Sequence, residues 1–312
     1  MLAVREEGMA RKLLYAAVLA ALVSPAAMAV GFDKPVLEKI DATLRAQLDQ
    51  AGPLEALVVL SAHADAFPLD RSRGYRAHRR AWVETLRATA DVSQADLRAW
   101  LDAHGVPYRA FWIANTVLVQ ADAATLAELA ARDDVIEVQA NPAMAVNLPE
   151  PEPSAAKTQQ VLAIAWGVNK IRAPMVWAAG ITGQGVTVAG QDTGYDWSHV
   201  ALKSKYRGWN GVSASHAYNW HDGVQAAIKG GSSCGYDSPV PCDDNGHGSH
   251  TMGTMVGADG ADQIGVAPGA RWIGCRNMDQ GVGRPSTYLD CMQWFLAPTD
   301  MNGANPDPDL AP

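Results

Sequence analysis

A chain of 312 residues, 48% hydrophobic and 19% charged, has the composition of a globular protein of one to three domains rather than a disordered one. Its formal net charge of −8 and pI of about 5.4 give no broad attraction to nucleic acid or to anionic membrane surfaces. Bulk charge therefore points to neither partner.

At the amino terminus, Arg11 and Lys12 precede an apolar run from Leu13 to Val23 and the small residues of Ala27-Met28-Ala29. This is the pattern of a secretory signal over residues 1–29, with cleavage after Ala29 exposing Val30. The apolar run is shorter than the ~20 residues that span a bilayer, so no stable membrane anchor is expected and the product is secreted or periplasmic. All four cysteines, Cys234, Cys242, Cys275 and Cys291, lie late in the chain. An even count in an exported chain predicts disulfides. Of the three pairings, we expect Cys234 with Cys242, closing a Gly/Pro-rich loop, and Cys275 with Cys291, tying a strand to the following helix.

Residues 54–61 (Leu-Glu-Ala-Leu-Val-Val-Leu-Ser) have the pattern of a strand, and His78 to His104 carries helical spacing with a break near Asp91 to Ser93. Tyr108 to Ile113 and Asn115 to Gln120 predict a hairpin. Asp122 is placed to cap a helix from Ala123 to Arg132, with Glu128 and Arg132 one turn apart as an opposite-charge pair. Val135 to Ala140 closes the series as a strand. The order strand, helix, strand, strand, helix, strand predicts an α+β ferredoxin-like domain over residues 30–148. Pro149, Pro151 and Pro153 alternate with Glu150 and Glu152, which predicts an extended linker and processing region at 149–164, because proline fixes its own φ and disfavours helix before it.

Beyond the linker, Gly185-Val186-Thr187-Val188-Ala189-Gly190-Gln191 reads as a buried strand delivering Asp192 into an Asp192-Thr193-Gly194 turn. The stretch Asp243-Asp244-Asn245-Gly246-His247-Gly248-Ser249-His250-Thr251 puts His247 at the glycine-flanked start of a small-residue helix. Gly265 to Cys275 reads as a turn feeding another apolar strand, followed by a glycine-rich loop at Gly281 to Ser286 and a helix from about Ser286 to Phe295. Strands alternating with helices predict an α/β arrangement, a mainly parallel sheet with helices on both faces.

A serine hydroxyl is a weak nucleophile. It needs an imidazole to take its proton, and that imidazole needs an acceptor to fix its tautomer. Asp192-Thr193-Gly194, the segment around His247, and Gly265-Val266-Ala267-Pro268 together resemble the acid and base regions of a subtilisin-like serine protease (subtilase, peptidase S8 family). The resemblance implies a secreted endopeptidase with Asp192 and His247 as catalytic residues and residues 165–312 as the N-terminal part of the catalytic domain. Residues 30–148 then correspond to an I9-like inhibitory propeptide bound to its own catalytic domain, and protein or peptide substrates are the partners.

No cofactor is required for that chemistry. Asp259 and Asp262, with backbone carbonyls, are candidate ligands of a structural calcium ion. His250 lies one turn beyond His247, but the spacing lacks the glutamate of a zinc-protease helix, so it is expected instead to support the site through packing or a hydrogen bond. Ser249 and Ser286 are expected to be structural. In the family's order of acid, base and nucleophile, the serine follows the histidine by roughly 150 residues, and the Gly-Thr-Ser-Met-Ala setting is absent up to Pro312. The sequence therefore predicts an N-terminal fragment, inactive by itself. The alternative is a non-catalytic protein that inhibits a protease or assists its folding.

Overall fold

The computed structural model describes residues 34–64, 74–146, 164–260 and 262–312. The signal peptide expected at 1–29 and, except for Ile164, the linker expected at 149–164 lie outside the described residues.

Two short helices that periodicity did not reveal, α1 (Lys34–Lys39) and α2 (Ala42–Arg45), open the N-terminal domain. Asp41 caps α2, its Oδ1 accepting the N–H of Thr43 at 2.6 Å and of Leu44 at 3.1 Å, while its other oxygen accepts from Ala140 N. There follow β1 (Leu54–Leu60), α3 (Gly74–Ser93), α4 (Ala95–Ala103), β2 (Tyr108–Phe111), β3 (Thr116–Ala121), α5 (Ala123–Ala131) and β4 (Val135–Ala140). The sheet is antiparallel in the order β2-β3-β1-β4, with Val58 opposite both Val117 and Val138. This is the expected split βαβ topology. Its core packs Leu97 and Leu101 of α4 and Leu126, Leu129 and Ala130 of α5 onto Val58, Val117, Val119 and Val138 of the sheet.

The predicted helical break falls at Gln94. Its buried amide donates to Phe111 O at 3.2 Å and to Asn115 Oδ1 at 3.0 Å, fastening the break to the hairpin turn. Asn115 sits at φ 45°, a conformation asparagine tolerates, and its own amide donates to Ala62 O at 2.8 Å. Asp122 caps α5 as expected, accepting from Thr125 N at 2.8 Å. The Glu128–Arg132 pair does not form as read. Arg132 instead takes Asp134 with both arms of its fork, at 2.8 and 2.7 Å, because a bidentate carboxylate satisfies two donors at once.

After β5 (Met144–Ala145) come α6 (Trp166–Lys170), α7 (Ala173–Ala178), β6 (Thr187–Asp192), α8 (Val200–Lys203), β7 (Trp220–Asp222), α9 (His247–Val256), the hairpin β8 (Ala258–Asp259) and β9 (Asp262–Gln263), β10 (Arg271–Arg276), β11 (Met278–Asp279), β12 (Val282–Gly283) and α10 (Pro285–Leu296). A parallel sheet runs β6-β10-β7, with Arg276 opposite Asp192 and Asp222 at its carboxyl end. Met252 and Val256 of α9 pack with Tyr195, Trp220 and Trp272 in one buried cluster. Cys291 and Trp294 of α10 pack with Ile273 and Cys275 in another. The expected α/β layering is present. Strand β7 was missed because three residues between loops carry no periodicity.

Both disulfides pair as expected, Cys234–Cys242 in the loop before α9 and Cys275–Cys291 between β10 and α10. Since Leu126 is wholly buried in the N-terminal core, Leu126→Ala should destabilise that domain by about 3 kcal/mol. Urea unfolding followed by circular dichroism would measure this, and a loss below ~1 kcal/mol would mean the domain does not pack as described.

Candidate active site

Strand β6 ends at Asp192, which is 7% exposed. The Asp192 Oδ1 atom lies 2.6 Å from His247 Nδ1 and also accepts Thr193 N at 2.7 Å, while Oδ2 accepts the Thr251 hydroxyl at 3.1 Å. An ionised carboxylate can only accept, so the shared proton belongs to Nδ1, and Nε2 is the ring nitrogen left to act on a reacting group. Structure thus brings together the two residues singled out from sequence, at the carboxyl end of a parallel strand and the first residue of a helix.

The local sequence explains why these elements meet so closely. Gly194 has φ +109°, and a side chain there would bring its Cβ within 1.8 Å of Cys242 O; a Cβ at Gly248 would approach Gly194 O to 2.0 Å. Only glycine allows the turn after Asp192 and the first turn of α9 to touch.

One residue ties the two segments, and its role was not visible in the sequence. Asp243 Oδ1 accepts the Thr193 hydroxyl at 2.8 Å and Gly246 N at 2.8 Å, and Oδ2 accepts Ser249 N at 2.8 Å and its hydroxyl at 2.6 Å. Thr193 Oγ1 in turn accepts Gly248 N at 3.0 Å. Burial pushes the Asp243 carboxyl up, but the bonds from Ser249, Gly246 and Thr193 outweigh it and hold the group below its ordinary value. Ser249 is therefore structural, as expected. His250 is exposed rather than packed beneath the site.

A second buried group supports the loop before α9. Arg276, 0% exposed, bonds Asp222 Oδ1 at 3.1 Å and Gly235 O at 2.6 Å, with Asp244 Oδ2 at 3.8 Å. Burial raises the Asp222 carboxyl despite Arg276 and the N–H groups of Ser238 and Val224. Such an ion pair is expensive to desolvate and is better read as fixing one loop conformation than as a source of stability. A charged residue closing the apolar run Trp272-Ile273-Gly274-Cys275 was the sequence signal for it, since an arginine there must be paired.

Alongside the site, β12 pairs antiparallel with β5, Val282 opposite Ala145 and Gly283 opposite Met144, and Val146 N donates to Gly281 O at 2.9 Å. The loop at Gly281 to Ser286 thus receives an extended segment of the N-terminal domain. Asn141 locks this register: its Oδ1 accepts Ser286 N at 3.0 Å at the start of α10, its amide donates to Ser286 Oγ at 2.9 Å, and its carbonyl accepts Arg284 Nη1 at 2.7 Å. Ser286 is buried and structural. Asp259 and Asp262 stand opposite each other across the β8–β9 hairpin. Among the described residues no three or more His, Cys, Asp or Glu side chains are grouped to hold a metal ion, so a calcium shell there would need backbone carbonyls.

Residues 183–304, which carry the Asp192–His247 pair at the carboxyl end of the parallel sheet, match the subtilase family (peptidase S8). Bacillopeptidase F of Bacillus subtilis strain 168 is 33% identical over 278 residues, 85% of this chain and 19% of that protein. Alkaline elastase YaB of Bacillus sp. strain YaB is 28% identical over 164 residues, 52% of this chain and 35% of its own length. The chain spans about a fifth to a third of these relatives. The crystal structure of the epidermin leader peptide processing serine protease of Staphylococcus aureus shares the fold, with a TM-score of 0.52 at 14% identity over 78% of this chain and 48% of that one.

A carboxyl held below its ordinary value stabilises the fold above that value, and the contribution disappears as pH falls through the folded-state pKa. Asp243→Asn should therefore cost about 1–3 kcal/mol at neutral pH and blunt the loss of stability seen in acid below about pH 4. Melting temperatures compared at pH 7 and pH 3 would show it; equal differences at both would contradict the clamp.

Proposed function

We propose that Asp192 and His247 are the acid and base of a secreted subtilisin-like serine endopeptidase, and that residues 30–148 form its inhibitory, folding-assisting propeptide. The observation that carries the first part is the 2.6 Å Asp192–His247 contact. In the mechanism, His247 Nε2 removes the proton of a serine hydroxyl as it attacks a peptide carbonyl, Asp192 stabilises the imidazolium through Nδ1–H, and the proton passes to the leaving amine. No cofactor is needed for these steps. A calcium ion on Asp259 and Asp262 would be structural.

Support for the propeptide reading comes from β5, which lies on β12 as an extended peptide would lie on a cleft edge, through backbone bonds that are indifferent to side chain. Protein or peptide substrates follow from the same geometry. Export is supported by the sequence pattern of residues 1–29 and the two disulfides. No helix of the described residues is long and apolar enough to cross a membrane.

Residues 1–312 contain no Gly-Thr-Ser-Met-Ala segment. By themselves they should not react with a fluorophosphonate probe, whereas a polypeptide joining them to that nucleophile setting should label and hydrolyse peptides. In that longer protein His247→Ala should cut kcat/KM by about 10⁴-fold or more. Stoichiometric serine labelling of residues 1–312, abolished by Asp192→Ala, would reveal a nucleophile elsewhere and sink the assignment.

A further inference from the structure

The N-terminal domain touches the subtilase region at more than the β5–β12 pairing. Helix α3 lies against the 3₁₀ turn Pro308–Leu310. There Arg80 pairs with Asp309, and Arg79 Nη1 donates to Pro312 O at 3.0 Å. The contact is close enough to bury Arg79 Nε and Asp309 Oδ1 from water.

On its other side this turn is built into the subtilase region. Arg207 Nη1 donates to Leu310 O at 2.7 Å, Tyr218 N to Thr299 O at 2.8 Å, and Asp307 N to Pro298 O at 2.8 Å. Arg207 is itself fixed by Asn219 Oδ1 at 2.6 Å and by Tyr218 O. Asp307 Oδ1 accepts Asp309 N at 2.9 Å, which sets the turn that presents the Asp309 carboxylate. The acidic turn is thus a fixed feature of the subtilase region, and the arginines that meet it come from α3.

We propose that α3 and the 307–312 turn form a second, ionic latch that holds the N-terminal domain in place independently of the β5–β12 pairing. It rests on the reading of residues 34–146 as a domain docked on the subtilase region. Cutting the chain between 147 and 163 would then leave the domain bound, and its release would depend on ionic strength as well as on the β5–β12 pairing. Charged pairs at an exposed rim govern such salt dependence, whereas β5–β12 backbone pairing does not.

The test uses the full chain carrying a specific protease site within 149–163. After cutting, retention of the N-terminal domain is followed by analytical gel filtration and titration from ~0.05 to ~0.5 M salt. Arg80→Glu and Asp309→Arg should each weaken retention about threefold to tenfold at low salt and less at high salt, and the double exchange should restore it. Hydrogen exchange on the uncut chain should show faster exchange in α3 for each single variant and recovery in the double. Single variants that bind as the parent does, or a double exchange that only adds the two losses, would overturn the latch and leave docking standing. Failure of the parent domain to be retained at any salt would overturn both.

Discussion

The carboxylate of Asp243 is the constraint on which the site depends. The turn after β6 and the start of α9 belong to different elements, and the backbone joins the turn to the loop before α9 by one isolated bridge, Gly194 opposite Asp243, with Tyr195 N donating to Cys242 O at 3.2 Å. Asp243 accepts from Thr193 on one segment and from Gly246 and Ser249 on the other, closing them against each other. Glycines 194 and 248 let that closure reach contact distance. With both segments fixed, the Asp192–His247 distance follows from backbone placement rather than from two mobile side chains.

Asp243 is in turn held by what surrounds its loop. The buried Arg276 guanidinium, at the end of the central strand β10, collects Asp222 from β7 and Gly235 O from the loop closed by Cys234–Cys242. Asp244, beside Asp243, accepts the Ser232 hydroxyl at 2.6 Å and Gln280 N at 3.0 Å. The loop before α9 is therefore braced from the sheet and from the approach to β12. One polar network links the Asp192–His247 pair to the strand that receives β5.

Elements with strong local signals were legible in the sequence. The ferredoxin-like order, the Asp122 cap, the helix beginning at His247 and both disulfide pairings follow from periodicity, capping chemistry and cysteine placement. Contacts made only by the folded chain were not. Strand β7 is too short for a period, and Arg132 chose Asp134 over Glu128 because fork geometry outweighed helical spacing. Asn141 reads as an unremarkable residue before a proline, yet it caps α10 from another part of the chain. Asp243 was visible only as one acidic residue among several near His247; its task depends on Thr193, which lies 50 residues away in sequence.

Nuclear magnetic resonance of the His247 ring proton tests the Asp192–His247 geometry most directly. A proton on Nδ1 bonded to Asp192 should give a downfield signal in the parent chain, absent in Asp192→Ala and weakened in Asp243→Asn, where the carboxylate clamp is lost. A downfield signal unchanged by Asp192→Ala would show that His247 is not held by Asp192 and would contradict the account.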